Sequence, residues 1–311
     1  MKHFECGKLD RIIGGILKNL VCKGLCPDGI WQLSDAVKSV LSYQISRLPR
    51  RDVSETDTRY PVNPTSMRAF LSVFFTRHFF QSQNSLIEYM TSQDFLNIVD
   101  SGNLRILDVG SGPAVASLAV TDMLACLLEN LEYVEEWPKG KTVKITYVLN
   151  DTSNICLGTG QDMLCNYFRM RTGHTKSIMN NHMISINHAF PDNMSQLQRV
   201  RLNFGTYDII IFSYVILPLN EENGFSGLVD GLLNIERLCS HRGRVLVLQD
   251  KFQTTLVLRM SKAIGVSSEK QVLTQQVYPK RNDNEVYTYV YNRCLYATVV
   301  KRKIVRQSSI A

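Results

Sequence analysis

Apolar positions along this chain change their spacing once, near residue 100. Before that point they recur three and four residues apart, as in Ile12, Ile13, Ile16, Leu17 and Leu20, the period of a helix with one buried face. The pattern predicts helix over residues 8–50, broken at Pro27-Asp28-Gly29 and resuming over 34–48. A polar stretch with Pro49, Pro61 and Pro64 follows and reads as a loop. Two more helical stretches are expected over 66–80 and 83–99, and no strand in the first 100 residues.

From Leu104 onward the apolar runs become short and β-branched. Strands are expected over residues 104–109, 142–149, 183–187, 207–213 and 244–249. Helical patterns over 114–134, 153–172, 225–239 and 254–264 lie between or after them. Strands alternating with helices imply a mostly parallel sheet covered on both faces. Residues 285–291 and 294–301 alternate and meet at Asn292-Arg293, which predicts an antiparallel hairpin. The organisation expected is a helical region, 1–100, that caps the site and selects its substrate, followed by an α/β domain, 101–311.

One place along this pattern carries chemistry. Gly110-Ser111-Gly112 follows the first strand and precedes a helix. Glycines there let a ligand approach backbone that a Cβ would shield, at the carboxyl end of a strand, where open α/β sheets bind ligands. Asp108 lies two residues upstream, where a dinucleotide loop has an apolar residue. A buried acid there needs a partner, either loop amides or a cationic ligand reached through them or through water. Asp151 ends the second strand. Its carboxylate suits either the two hydroxyls of a ribose or the N-cap of the next helix, a cap that Ser153 can also supply.

Leu104-Arg105-Ile106-Leu107-Asp108-Val109-Gly110-Ser111-Gly112-Pro113 resembles the first motif of class I methyltransferases, which use S-adenosylmethionine (SAM). Asp151 matches the acid after that family's second strand, and Asn187-His188-Ala189-Phe190 stands where its third motif meets adenine. Residues 207–213 with Tyr214 match the fourth motif, and the terminal hairpin matches the family's reversed last strand. The resemblance spans residues 100–302. It implies a Rossmann-like, mostly parallel seven-stranded sheet with helices on both faces and an antiparallel C-terminal hairpin. It also implies SAM as cofactor, with S-adenosylhomocysteine as product. Cofactor contacts fall on Asp108, Gly110, Ser111, Gly112, Asp151, Thr152, His188 and Ala189, and acceptor contacts on Ser213 and Tyr214. The sequence departs from the family at Ala114, where a third glycine is common, and at His188, where an acid is usual.

The methyl acceptor is less legible. Phe212-Ser213-Tyr214-Val215 lacks the Asn/Asp-Pro-Pro-Tyr of exocyclic-amine methylation, and no Pro-Cys pair marks a pyrimidine nucleophile. Phe212-Ser213-Tyr214-Val215-Ile216-Leu217-Pro218 and Gly243-Arg244-Val245-Leu246-Val247-Leu248 are partly similar to methyltransferase-like proteins of small ribosomal subunits. The Glu-Pro-Gly of those proteins is replaced by Gln249-Asp250-Lys251. That similarity, with a net charge of +7, tilts the expected acceptor toward RNA or a ribonucleoprotein. Arg47, Arg50 and Arg51, then Lys301, Arg302, Lys303 and Arg306, are the densest basic groups. A small-molecule methyltransferase and an inactive SAM-fold scaffold are the alternatives.

Eight cysteines scattered over 311 residues read as reduced thiols of an intracellular protein. Cys6, Cys22 and Cys26 fall short of the four ligands of a structural zinc site. No apolar stretch is long enough to span a membrane.

Overall fold

A computed structural model describes residues 30–49, 60–90, 92–133, 137–171, 178–249, 254–263, 267–273, 277–279, 288–291 and 295–301. The chain opens with β1 (Ile30–Gln32), α1 (Asp35–Ser46), α2 (Pro64–Val73), α3 (Phe75–Met90) and α4 (Gln93–Asp100). Alternation begins with β2 (Asn103–Val109), α5 (Val115–Tyr133), β3 (Val143–Asp151), α6 (Asn154–Met170) and β4 (Met179–Asn187). It continues with α7 (Met194–Phe204), β5 (Tyr207–Ser213), α8 (Ile216–Glu236), β6 (Cys239–Gln249) and α9 (Thr254–Ala263). β7 (Ser267–Leu273), β8 (Val277–Pro279), β9 (Thr288–Tyr291) and β10 (Leu295–Lys301) complete it.

Five strands run parallel in the order β4-β3-β2-β5-β6. Beyond β6 the sheet continues antiparallel through β10 and then β7. Side chains of the central strands alternate between two cores, as the period of a strand requires. Leu104, Ile106, Ile145, Ile209 and Ile211 face one; Leu107, Val109, Val148, Ile210 and Phe212 face the other. The first core also holds Val37, Leu71, Phe75, Phe79 and Phe95, so the N-terminal helices are built onto that face of the sheet.

Local sequence explains the helix starts. Ser34, Ser92 and Ser153 each accept a backbone N–H from three residues on, and Asn63 and Ser66 form a reciprocal capping box with Pro64 at the first helical position. Asp122 joins four elements. Its buried carboxylate accepts from Ser34, Gln83, Tyr167 and Arg171, tying α1, α3 and α6 to α5.

Several expectations need correction. The first 100 residues do contain a strand: Ile30–Gln32 pairs antiparallel with Thr288–Tyr291. Three residues are too few to show a period. The two alternating segments near the C-terminus are not paired with each other: β9 joins β1 and β8, while β10 lies between β6 and β7. Alternation identifies a strand but not its neighbour, and the polar β7 (Ser-Ser-Glu-Lys-Gln-Val-Leu) gave no apolar signal. The stretch expected over 66–80 breaks at Phe74, and α7 was not anticipated. Residues 8–29, with Cys6, Cys22 and Cys26, and the basic groups at 50–51 and 302–306 lie outside the described residues. No described helix is long and apolar enough to cross a membrane.

Candidate functional site

A cavity of about 370 Å³ opens at the carboxyl ends of β2, β3, β4 and β5. Its floor is the turn after β2. Gly110 and Gly112 hold φ of 63° and 52°, left-handed values that glycine takes without penalty. At Gly110 a Cβ would lie 2.6 Å from Val215, so the glycine is also needed for packing. At Gly112 a Cβ would meet nothing within 4 Å; that backbone faces open space.

Asp151 stands beside this turn. Its Oδ2 accepts from the Gly112 amide at 2.8 Å and from the Tyr60 hydroxyl; its Oδ1 accepts from the Ser153 amide at 2.7 Å. Ser153 is the N-cap of α6, its side chain accepting from Cys156. Of the two roles open to Asp151, the cap is therefore taken by another residue. Next to it, the Asn150 side chain donates to the carbonyls of Ile186 (3.1 Å) and His188 (2.7 Å), holding the segment after β4 against the cavity. His188 is exposed, and its Nδ1 lies 3.2 Å from the Ala189 carbonyl.

Asp108 lies behind the turn and is fully buried. The Ser117 hydroxyl donates to its Oδ2 at 2.7 Å, while Oδ1 has no hydrogen-bond partner among the described residues. Burial pushes its carboxyl up to about 7, with the hydrogen bonds from Ser117 opposing and Asp151 adding to the rise.

The end of β5 and the N-terminal helices supply another part of the lining. Tyr214 has φ of 60°, a costly conformation for a residue with a Cβ and one that clusters at functional sites. Its ring stacks on His78 with centroids 4.2 Å apart, and its hydroxyl donates to Gln81. Phe74 also stacks on His78, and Phe70 meets it edge-on. Burial and the neighbouring Arg77 push the His78 imidazole down to about 3.

The structure thus brings Gly110, Ser111, Gly112, Asp151, Thr152, His188, Ala189, Ser213 and Tyr214 to one cavity wall, with Asp108 directly behind it. Ala114 does not line the cavity. It is left-handed (φ 56°) and buried, and its methyl lies against Gly160 of α6: a Cβ on Gly160 would stand 2.8 Å away. The departure at Ala114 therefore places its methyl against α6 and not in the cavity lining. Sequence reasoning missed Tyr60, Phe70, His78 and Asn150. The first three sit in or beside a polar loop or on helices whose apolar stripe reports burial, not proximity to a cavity. Asn150 had a visible signal, a polar residue in an apolar strand. Among the described residues no cluster of His, Cys, Asp or Glu is suited to a metal.

No protein-family model matches the sequence, and no curated protein does either. Among solved structures the chain is similar to a precorrin-6y C5,15-methyltransferase from Geobacter metallireducens, at 12% identity and a TM-score of 0.40, over 70% of this chain and 91% of that one. It is similar to a SAM-dependent methyltransferase from Agrobacterium tumefaciens at 12% identity and a TM-score of 0.40, over 72% and 61%. A putative O-methyltransferase from Klebsiella pneumoniae aligns at 11% identity and a TM-score of 0.38, over 92% and 96%. Likenesses this distant carry no weight for family or reaction, which rest on the residues of the site.

Proposed function

We propose that this chain is a SAM-dependent methyltransferase. The observation that carries the reading is the buried Asp151 carboxylate in the cavity lining, held by the Gly112 amide and released from helix capping by Ser153. Three further features fit the same cofactor. Gly112 leaves a cradle that any side chain would fill. Asp108 keeps one buried oxygen without a partner, which a ligand ammonium can satisfy through the loop or a water. β10 runs antiparallel within the sheet, in the place of the family's reversed last strand.

In this reading Asp151 and Thr152 hold the ribose, Gly110, Ser111 and Gly112 surround the methionine portion, and His188 and Ala189 border the adenine. Ser213 and Tyr214 face the acceptor. SAM, when bound, would supply an activated methyl carbon that could pass to an acceptor nucleophile, the electron pair of the broken carbon–sulfur bond remaining on sulfur and the acceptor's proton leaving to bulk solvent. The protein's work is then mainly to hold the nucleophile in line and exclude solvent. The N-terminal helices supply His78 and Phe70 to the cavity, which supports an acceptor-selecting role for that region.

The tilt toward RNA rests on partial sequence similarity and net charge. One observation favours the small-molecule alternative: no Lys or Arg lines the cavity among the described residues, whereas Asp151 and Glu222 do. The Ala114 methyl lies against Gly160 and not in the cavity lining, so the departure at that position lends the scaffold alternative no support. Calorimetry with S-adenosylhomocysteine tests the proposal. Binding is expected, and Asp108→Ala is expected to abolish it; no heat from the wild type at high micromolar ligand refutes the assignment.

A further inference from the structure

We infer that the acceptor is a small, uncharged aromatic molecule carrying a hydroxyl, bound against the Phe70–His78–Tyr214 wall with His78 accepting its hydrogen bond. This rests on the cofactor reading above and adds the acceptor to it.

The shape of the site points to a small molecule. The cavity, about 370 Å³, has to admit the cofactor of the reading above as well, so the share open to an acceptor suits a small ligand. Part of its lining is aromatic: Phe70, His78 and Tyr214 all contribute to it. These rings already form a stack, His78 on Tyr214 at 4.2 Å and 16° between planes, with Phe74 at 5.7 Å and 30°. A flat ring extends such a stack at favourable offset geometry.

Charge narrows the class. Phosphate and carboxylate ligands are held by cations or helix N-termini; the first residues of α5, Val115 and Ala116, line this cavity, but no Lys or Arg does among the described residues. Asp151 and Glu222 put negative charge on the wall instead. An anionic acceptor, an RNA strand included, would be desolvated there with no cationic side chain beside it among the described residues.

Hydrogen bonding selects the functional group. The Tyr214 hydroxyl is committed to Gln81. His78 is kept neutral across the working range by burial and by Arg77. A neutral imidazole carries one acceptor nitrogen, suited to an O–H and not to a second acceptor. At a value near 3 this nitrogen is too weak a base to take the proton outright, so its role is to bind and orient. Tyr214, held left-handed at φ 60°, keeps its ring where the stack requires it.

The test uses 2-naphthol, naphthalene-2-sulfonate and a short oligouridylate as probes on the full chain saturated with S-adenosylhomocysteine, with affinity read by calorimetry. 2-Naphthol is expected to bind, the sulfonate at least tenfold more weakly, and the oligouridylate not to compete. His78→Phe keeps an aromatic ring and removes the nitrogen; it is expected to weaken 2-naphthol at least tenfold, and His78→Gln to recover part of the loss. A naphthol affinity within twofold of wild type in His78→Phe overturns the contact. Equal or tighter binding of the sulfonate or the oligouridylate, or no binding of 2-naphthol, overturns the acceptor class. Should His78→Phe fail to fold, the selectivity of the wild type among the three probes still decides. S-adenosylhomocysteine failing to bind in the same experiments instead overturns the cofactor reading beneath it.

Discussion

Asp108 makes a quantitative prediction about stability. An unfolded aspartate titrates near 3.8, and in the folded chain burial pushes this one up to about 7. The sign is the reverse of the usual stabilised carboxylate. A raised acid binds its proton more tightly when folded, so its burial costs nothing extra below about pH 4. The cost grows as pH rises toward 7 and levels off above it. Because the group is fully buried, solvent screening does not discount the effect. Linkage over that window makes the ionisation cost at pH 8 larger than at pH 5 by roughly 2.5 kcal/mol. For a chain of 311 residues unfolding entropy of about 2.1 cal/mol/K per residue converts this to roughly 4 °C. Asp108→Asn keeps the shape and the Ser117 hydrogen bond and cannot ionise. Melting wild type and variant in parallel at pH 5, 6, 7 and 8, without ligand, should show the wild type losing about 4 °C relative to the variant across the series. Parallel curves would refute the claim that an uncompensated buried carboxyl sits behind the turn.

Three further outcomes are expected. Tyr60 donates to the same Asp151 oxygen that accepts from Gly112 and so competes with a ribose hydroxyl; Tyr60→Phe should tighten S-adenosylhomocysteine by up to about tenfold, the lower end of a hydrogen bond to a charged group, and weaker binding in calorimetry would contradict this. Gly160→Ala should destabilise by about 1–3 kcal/mol through contact with the Ala114 methyl, and adding Ala114→Gly should recover most of the loss; additive losses in denaturant melts would show that the two positions do not touch. Asp122→Ala strips the buried acceptor shared by Ser34, Gln83, Tyr167 and Arg171, leaving Arg171 with Glu129 of the two carboxylates it pairs with, and should cost about 3–5 kcal/mol in the same melts.

The inner parallel strands were legible because they bury both faces in a short apolar run: residues 207–213 were expected and β5 is Tyr207–Ser213; the edge strand β4, polar and partly exposed over Met179–Asn187, was expected only over 183–187. Strand partners were not legible. Residues 285–291 alternate as a strand should, yet their neighbours are 30–32 and 277–279, a choice made by tertiary packing. At the site, the turn and Asp151 could be read because both lie where a strand ends. His78 could not: its helix is amphipathic for ordinary reasons, and only the fold carries that turn of helix across to Tyr214. Ala114 was read as a loss of glycine at one position. Its counterpart, a glycine at 160 that makes room for the methyl, lies a strand and a helix away and has no signature of its own.

The strand order also has a consequence for synthesis. β2, β3 and β4 can pair as soon as residue 187 has emerged, but β2 pairs on its other edge with β5, whose residues begin at 207. For the time needed to add about twenty residues, roughly 1–4 s at ordinary elongation rates, the nascent half-sheet presents an unpaired central edge. The strand that closes it, Ile209-Ile210-Ile211-Phe212, is apolar on both faces and has the uncharged, β-branched composition that pairs readily with another chain. Slower synthesis at constant temperature lengthens that window, so soluble yield should follow the speed of translation through residues 188–213 more closely than the stability of the finished protein.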